Sequence, residues 1–131
     1  MHRIFYRARH GFTLIELLVV LAVLALLTGL ITPNYLDRVS QAREVTLKTN
    51  LAGLRTAIDQ FYRDKGRYPN ELADLVESRY IREVPQDPVT ERSDTWIAVP
   101  PKGAASAAGK VFDVKSGATG QAKDGASYSA W

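Results

Sequence analysis

Residues 11–31 read GFTLIELLVVLAVLALLTGLI, an apolar run in which Glu16 is the only charge. As a helix, the 18 residues 14–31 would reach roughly 27 Å at about 1.5 Å per residue, close to the hydrocarbon thickness of a bilayer. A segment of this length and polarity is expected to enter a membrane. Residues 1–10 carry Arg3, Arg7 and Arg9 and no acid, and a short basic flank of this kind stays on the cytoplasmic side. The expected orientation is therefore amino terminus in.

Glu16 needs its own explanation. An ionised carboxylate in hydrocarbon costs about 3 kcal/mol on insertion scales, so it persists only with water or a partner. Two readings are open: the group lies at the membrane edge and stays wet among headgroups, or it pairs with a cation at the same depth. No cation lies within the run. An amino terminus made by cutting just before Phe12 would supply one.

The contiguous string Gly11-Phe12-Thr13-Leu14-Ile15-Glu16-Leu17, after a basic leader and before the apolar run, resembles the class III signal of type IV pilins and type II secretion pseudopilins. The resemblance implies that a prepilin peptidase cuts between Gly11 and Phe12 and methylates the new amine of Phe12. It also implies that Glu16 pairs with the Phe12 ammonium of a neighbouring subunit in an assembled filament.

The net charge of +3 equals the three leader arginines, so residues 12–131 hold 14 basic and 14 acidic side chains. A balanced chain gives no basic surface for nucleic acid. There is no cysteine, and the two histidines, His2 and His10, both precede Gly11. Disulfides, Ser-His or Cys-His catalysis and the usual zinc ligands are thereby removed from residues 12–131. No G-x-x-x-x-G-K phosphate loop is present, and the acids follow no catalytic spacing. The expectation is a protein that is not an enzyme.

Pro33 follows the apolar run, and a proline there either ends the helix or kinks it. Periodicity favours continuation: Leu36, Val39, Leu47, Leu51, Leu54, Ile58 and Phe61 recur at helical spacing to about Lys65. Asp37, Arg38, Arg43, Lys48, Arg55 and Asp59 fall mostly off this stripe and read as a solvated face. Gly66 is placed to end the helix. Asn70 is expected to cap a second, short helix carrying Leu72, Leu75, Val76 and Ile81. A Tyr-Pro such as Tyr68-Pro69 before a short helix is similar to the G-type, or major, pseudopilins.

Val84-Pro85-Gln86-Asp87-Pro88 reads as a linker, since two prolines three apart break helix and central strand alike. Beyond it, residues 95–99 and 110–114 are β-type runs and residues 127–131 are a candidate third strand. Residues 100–109 between the first two read as a hairpin loop. Trp96, Phe112 and Trp131 are expected to fill the space between strands and helix.

The last candidate is the glycine-rich stretch of residues 116–125. With Asp124 it offers carbonyls and a carboxylate to calcium, a cation that takes about six to eight oxygens. The G-type pseudopilins that this region resembles use such a loop for structural calcium. Here Gly117-Ala118-Thr119-Gly120 stands where the family pattern is Gly-Ala-Asp-Gly, and Lys123 adds positive charge beside Asp124. A plain turn between strands is the competing reading, and both departures favour it.

The expected fold is α+β: a long amino-terminal helix, transmembrane then amphipathic, a short second helix and a small carboxy-terminal antiparallel sheet. The expected divisions are a leader at 1–11, a transmembrane helix at 12–32, its amphipathic continuation at 33–65 and a periplasmic part at 66–131. Carried through, the resemblance implies a structural subunit of a type II secretion pseudopilus. Its partners would be prepilin peptidase, other pseudopilins and an inner-membrane assembly platform, with the carboxy-terminal part in the periplasm. Two rivals are kept. A type IV pilin commonly carries a carboxy-terminal cysteine pair, absent here, and a signal-anchored periplasmic binding protein would want an A-x-A cleavage pattern beyond the run.

Overall fold

The computed structural model describes residues 10–103 and 109–131. The leader arginines Arg3, Arg7 and Arg9, and residues 104–108 of the expected hairpin loop, lie outside the described residues. The elements are α1 (Leu14–Lys65), α2 (Leu72–Glu77), β1 (Ile97–Val99), β2 (Asp113–Lys115) and a closing 3-10 turn (Tyr128–Ala130). This is an α+β chain with a long first helix and a small antiparallel sheet. It divides into two compact units, Met1–Arg38 and Val39–Trp131, and α1 contributes to both.

Pro33 lies inside α1 and does not end it. A proline costs a helix interior about 3 kcal/mol, but runs of good helix formers lie on both sides, residues 24–27 (LALL) before it and 41–44 (QARE) after it. In the first unit, among the described residues, no residue of the most hydrophobic stretch of α1 is buried. Leu36, expected on the covered stripe, is likewise exposed at 60%.

In the second unit the stripe becomes a core. Leu47, Leu51, Leu54, Ile58 and Phe61 are all buried, at alternating spacings of four and three, with Ala57 between them. Leu75 from α2, Val111, and Val114 from β2 cover them, and Leu72, Tyr80, Ile81, Trp96 and Trp131 pack around the edge. Arg55, placed by its spacing on the solvated face, instead reaches β2. Its Nε donates to Asp113 Oδ1 at 2.8 Å and its Nη2 to the Val114 carbonyl at 3.0 Å. The long side chain bridges the edge of the core while its stem covers apolar surface.

Gly66 ends α1 with φ of 70°, its N–H donating to the Tyr62 carbonyl at 2.9 Å. That left-handed turn is where glycine is least strained. The start of α2 differs from expectation: its N-cap is Glu71, not Asn70. Asp74 Oδ2 accepts from the backbone N–H of Asn70 at 2.8 Å and of Glu71 at 3.3 Å. With its own N–H and that of Glu71 turned onto the Asp74 carboxylate, Asn70 stands one residue outside the helix and Glu71 takes the cap position. Ile81 lies beyond α2, which closes through Arg79 in a left-handed conformation, with the Tyr80 N–H returning to the Leu75 carbonyl at 2.9 Å.

The sheet has two strands, paired antiparallel with Ile97 opposite Lys115, Ala98 opposite Val114 and Val99 opposite Asp113. The second strand starts later than its β-type run because the run's first residues are bonded elsewhere. Lys110 and Val111 both donate their N–H to the carbonyl of buried Pro69, at 3.1 and 2.9 Å. Residues 127–131 form no third strand but a 3-10 turn, which seats Tyr128 and Trp131 against the core. Phe112, expected inside, is 51% exposed and meets the Tyr68 ring edge-on at 5.4 Å between centroids. Phe112 lies in a bend just before β2, so the inward face of Val114 does not carry back to it.

Candidate functional site

The amino-terminal segment presents the residues on which processing and assembly would act. Gly11 and Phe12 precede α1 in irregular backbone and are exposed, Phe12 at 85%. A side chain at Gly11 would meet nothing within 4 Å, so packing within the chain does not require glycine there. Thr13 caps the helix: its Oγ1 accepts from the Glu16 N–H at 3.2 Å, and its carbonyl accepts from the Leu17 N–H at 3.2 Å. The T-x-x-E spacing of Thr13 and Glu16 is the sequence signal of this cap.

The cap places Glu16 in the first turn of α1, at the end where the helix dipole favours negative charge. The residue is exposed, and its carboxylate has no hydrogen-bond or ion-pair partner among the described residues. Among the described residues the apolar stretch of α1 is uncovered and carries one carboxylate near its capped end, the pattern of a surface that lipid or other helices cover.

The segment with the two prolines is not a linker. Asp87 is wholly buried within it, and so is Ser116, from the start of the glycine-rich stretch. Asp87 Oδ2 accepts from Ser116 Oγ at 2.5 Å, and Oδ1 accepts from the N–H of Val89 at 2.8 Å and of Thr90 at 3.3 Å. Ser116 Oγ in turn accepts from the Ala118 N–H at 3.1 Å. Trp96 Nε1 and Asn50 Nδ2 donate to the carbonyls of Pro85 and Gln86, at 2.7 and 3.0 Å. One buried carboxylate thus ties the turn after α2 to the loop after β2.

That loop has its own reason for glycine. Gly117 lies opposite Thr95, and a Cβ added to it would stand 2.0 Å from the Thr95 carbonyl oxygen. Gly117→Ala is therefore expected to push the two backbones apart and lower stability by about 2–3 kcal/mol, in the range of overpacked cores. A urea titration of the detergent-solubilised protein, followed by tryptophan emission, measures it.

The loop offers a calcium ion few charged oxygens. Its single carboxylate, Asp124, is exposed, and Oδ1 already accepts from the Ala126 N–H at 3.0 Å. No three acids or histidines converge anywhere among the described residues. The loop meets α1 instead, where Glu44 Oε1 accepts from the Lys123 N–H at 2.8 Å and from the Tyr128 hydroxyl at 3.4 Å. Partial burial, and then the nearby Glu44 carboxylate, hold the Tyr128 phenol above its ordinary pKa.

Residues 6–32 match the family model described as the prokaryotic N-terminal methylation motif. Over 96 residues the chain is 33% identical to the type II secretion system core protein G of Klebsiella pneumoniae, covering 61% of this chain and 69% of that one. It is 31% identical to the protein of the same name from Aeromonas hydrophila over 98 residues, 63% of this chain and 68% of the other. The type IV major pilin protein PilA of Myxococcus xanthus is 40% identical over 58 residues, which cover 44% of this chain but only 26% of the pilin. No solved structure matches the chain.

Proposed function

The chain belongs to the family of type II secretion system core protein G, the G-type pseudopilins, structural subunits of the pseudopilus, and from that premise we propose how its first residues act. Prepilin peptidase cuts between Gly11 and Phe12 and methylates the amine of Phe12. The subunit waits in the inner membrane on the apolar part of α1, with its amino terminus cytoplasmic and the second unit in the periplasm. On assembly the Glu16 carboxylate meets the Phe12 ammonium of a neighbouring subunit. The growing filament, raised from an inner-membrane platform, drives export, and the subunit catalyses nothing itself.

The observation that carries this reading is the pairing of features at one end of α1. A fully uncovered apolar surface asks for lipid or for other helices, and a lone carboxylate near its capped start asks for a cation. The freedom around Gly11 supports the cleavage step, because a glycine with open space around it answers a need outside the chain's own packing. The likeness reaches a quarter of the Myxococcus xanthus pilin and about half of the fimbrial protein EcpC of Eikenella corrodens, against 69% of the Klebsiella pneumoniae core protein G, and the longer cover supports the pseudopilin role.

The test is the mass of the protein extracted intact from membranes of cells with the peptidase. The expected species begins at Phe12 and carries one added methyl group. Gly11→Leu is expected to keep residues 1–11 attached and to leave the amine unmethylated. Mature protein that still begins at Met1 in such cells would overturn the proposal.

A further inference from the structure

The loop that closes the second unit is bonded with the opposite polarity to a cation site. A calcium ion needs carbonyl and carboxylate oxygens that converge and are free. Here three carbonyls of the loop and one carboxylate oxygen already accept from its own donors. The Ala122 carbonyl accepts from the Gly125 N–H at 2.9 Å, the Ala126 carbonyl from the Ala122 N–H at 2.7 Å, and the Gly120 carbonyl from the Tyr128 N–H at 3.3 Å. Asp124 Oδ1 is taken by Ala126. What the loop turns toward α1 is a pair of donors, the Lys123 N–H and the Tyr128 hydroxyl, and both point at one oxygen of Glu44.

We propose that Glu44 is the latch of this loop: its carboxylate fastens residues 120–128 to α1 by hydrogen bonds to Lys123 N–H and Tyr128 O–H, and closes the second unit without a divalent cation. One helical turn further on, Lys48 holds the next point of attachment. Its Nζ lies 4.4 Å from the centre of the Trp131 ring, and Trp131 meets Tyr128 edge-on at 5.3 Å. Glu44 and Lys48, four residues apart, lie on one face of α1, so the two attachments fall side by side. Glu44 is a positioning residue in this scheme. It shapes the carboxy-terminal surface that the subunit presents to its surroundings.

Lys123 is itself a trypsin site, which makes the latch measurable in the full chain in detergent micelles. Cleavage after Lys123 requires the loop to leave α1, and its rate follows the population of the open form. Wild-type protein is expected to lose residues 124–131 slowly, at one rate in millimolar calcium and in chelator. Glu44→Ala is expected to speed this cut by about tenfold, the effect of losing a charge-assisted hydrogen bond at a partly exposed site. Cuts elsewhere, such as after Arg55 in the core helix, should keep their rate. Glu44→Gln, which keeps an acceptor oxygen without the charge, should fall between. Alanine is the best helix former, so α1 survives the change, and far-ultraviolet circular dichroism checks it. A wild-type cut slowed several-fold by calcium would overturn the proposal. So would a Glu44→Ala rate equal to wild type, or an acceleration at all sites together.

Discussion

Glu16→Ala is expected to accumulate in the membrane at the normal level and to form almost no filaments. Three effects compete, and their sizes decide the outcome. At the first turn of α1 the carboxylate interacts with the helix dipole for about 0.3–1 kcal/mol, which a 52-residue helix capped by Thr13 can lose without consequence. Removing the charge also relieves about 3 kcal/mol of insertion cost, so the variant should enter the bilayer at least as readily. Against these stands the proposed partner, the Phe12 ammonium of the next subunit. Left alone in hydrocarbon it costs about 3 kcal/mol or more at every interface, roughly a hundredfold in each association step. A polymer multiplies that loss along its length. Glu16→Asp keeps the charge on a shorter arm and should give an intermediate yield. Filament yield from cells overproducing each variant, with an immunoblot for membrane level, makes the comparison. Normal filaments from Glu16→Ala would leave the carboxylate as a wet residue at the membrane edge.

Periodicity was the most legible part of this chain. Leu47, Leu51, Leu54, Ile58 and Phe61 are spaced so that only a helix gives them one face, and that face is the core. The same spacing put Leu36 on the stripe, yet Leu36 is uncovered, because periodicity gives a direction around the helix and not the height at which cover begins. Local competition was less legible. Asn70 is a good cap by residue type, but Asp74 draws in the N–H groups of Asn70 and Glu71, which sets Glu71 in the cap position instead. The β-type run at residues 110–114 loses its first residues to the Pro69 carbonyl, a partner some 40 positions away that no local pattern announces. In the candidate site, the string around Gly11 and Glu16 is dense enough to read directly. Thr13 was readable as a cap from its spacing to Glu16. Glu44 was not readable, since a glutamate on a helix face looks the same whether it faces water or a loop that returns from 79 positions away.

Asp87→Ala is the substitution expected to damage the second unit most. The side chain is wholly buried, and three donors point at it: Ser116 Oγ, Val89 N–H and Thr90 N–H. Replacing only the acceptor leaves those donors without a partner in a dry site, at about 1–3 kcal/mol for each well-formed bond. Water entering the small cavity would recover part of this, so the expected loss is about 3–5 kcal/mol. That is a large share of the roughly 5–15 kcal/mol that holds a domain of this kind together. The Pro88 ring pre-sets the turn in which Asp87 accepts from the second residue onward, so the turn itself should form and the loop bearing Ser116 should come free. Asp87→Asn separates the two halves of the network. Its carbonyl oxygen can still accept from Val89 and Thr90, but its amide is a donor facing Ser116 Oγ, whose hydroxyl then loses its acceptor. About half of the alanine effect is expected. Trp96 reports the change, because its Nε1 is bonded to the Pro85 carbonyl two residues before Asp87. A urea titration of the detergent-solubilised protein by tryptophan emission should show the midpoint falling from wild type through Asp87→Asn to Asp87→Ala. Equal midpoints for all three would mean that the loop after β2 is held by its backbone bonds and Glu44, and that the buried carboxylate contributes little.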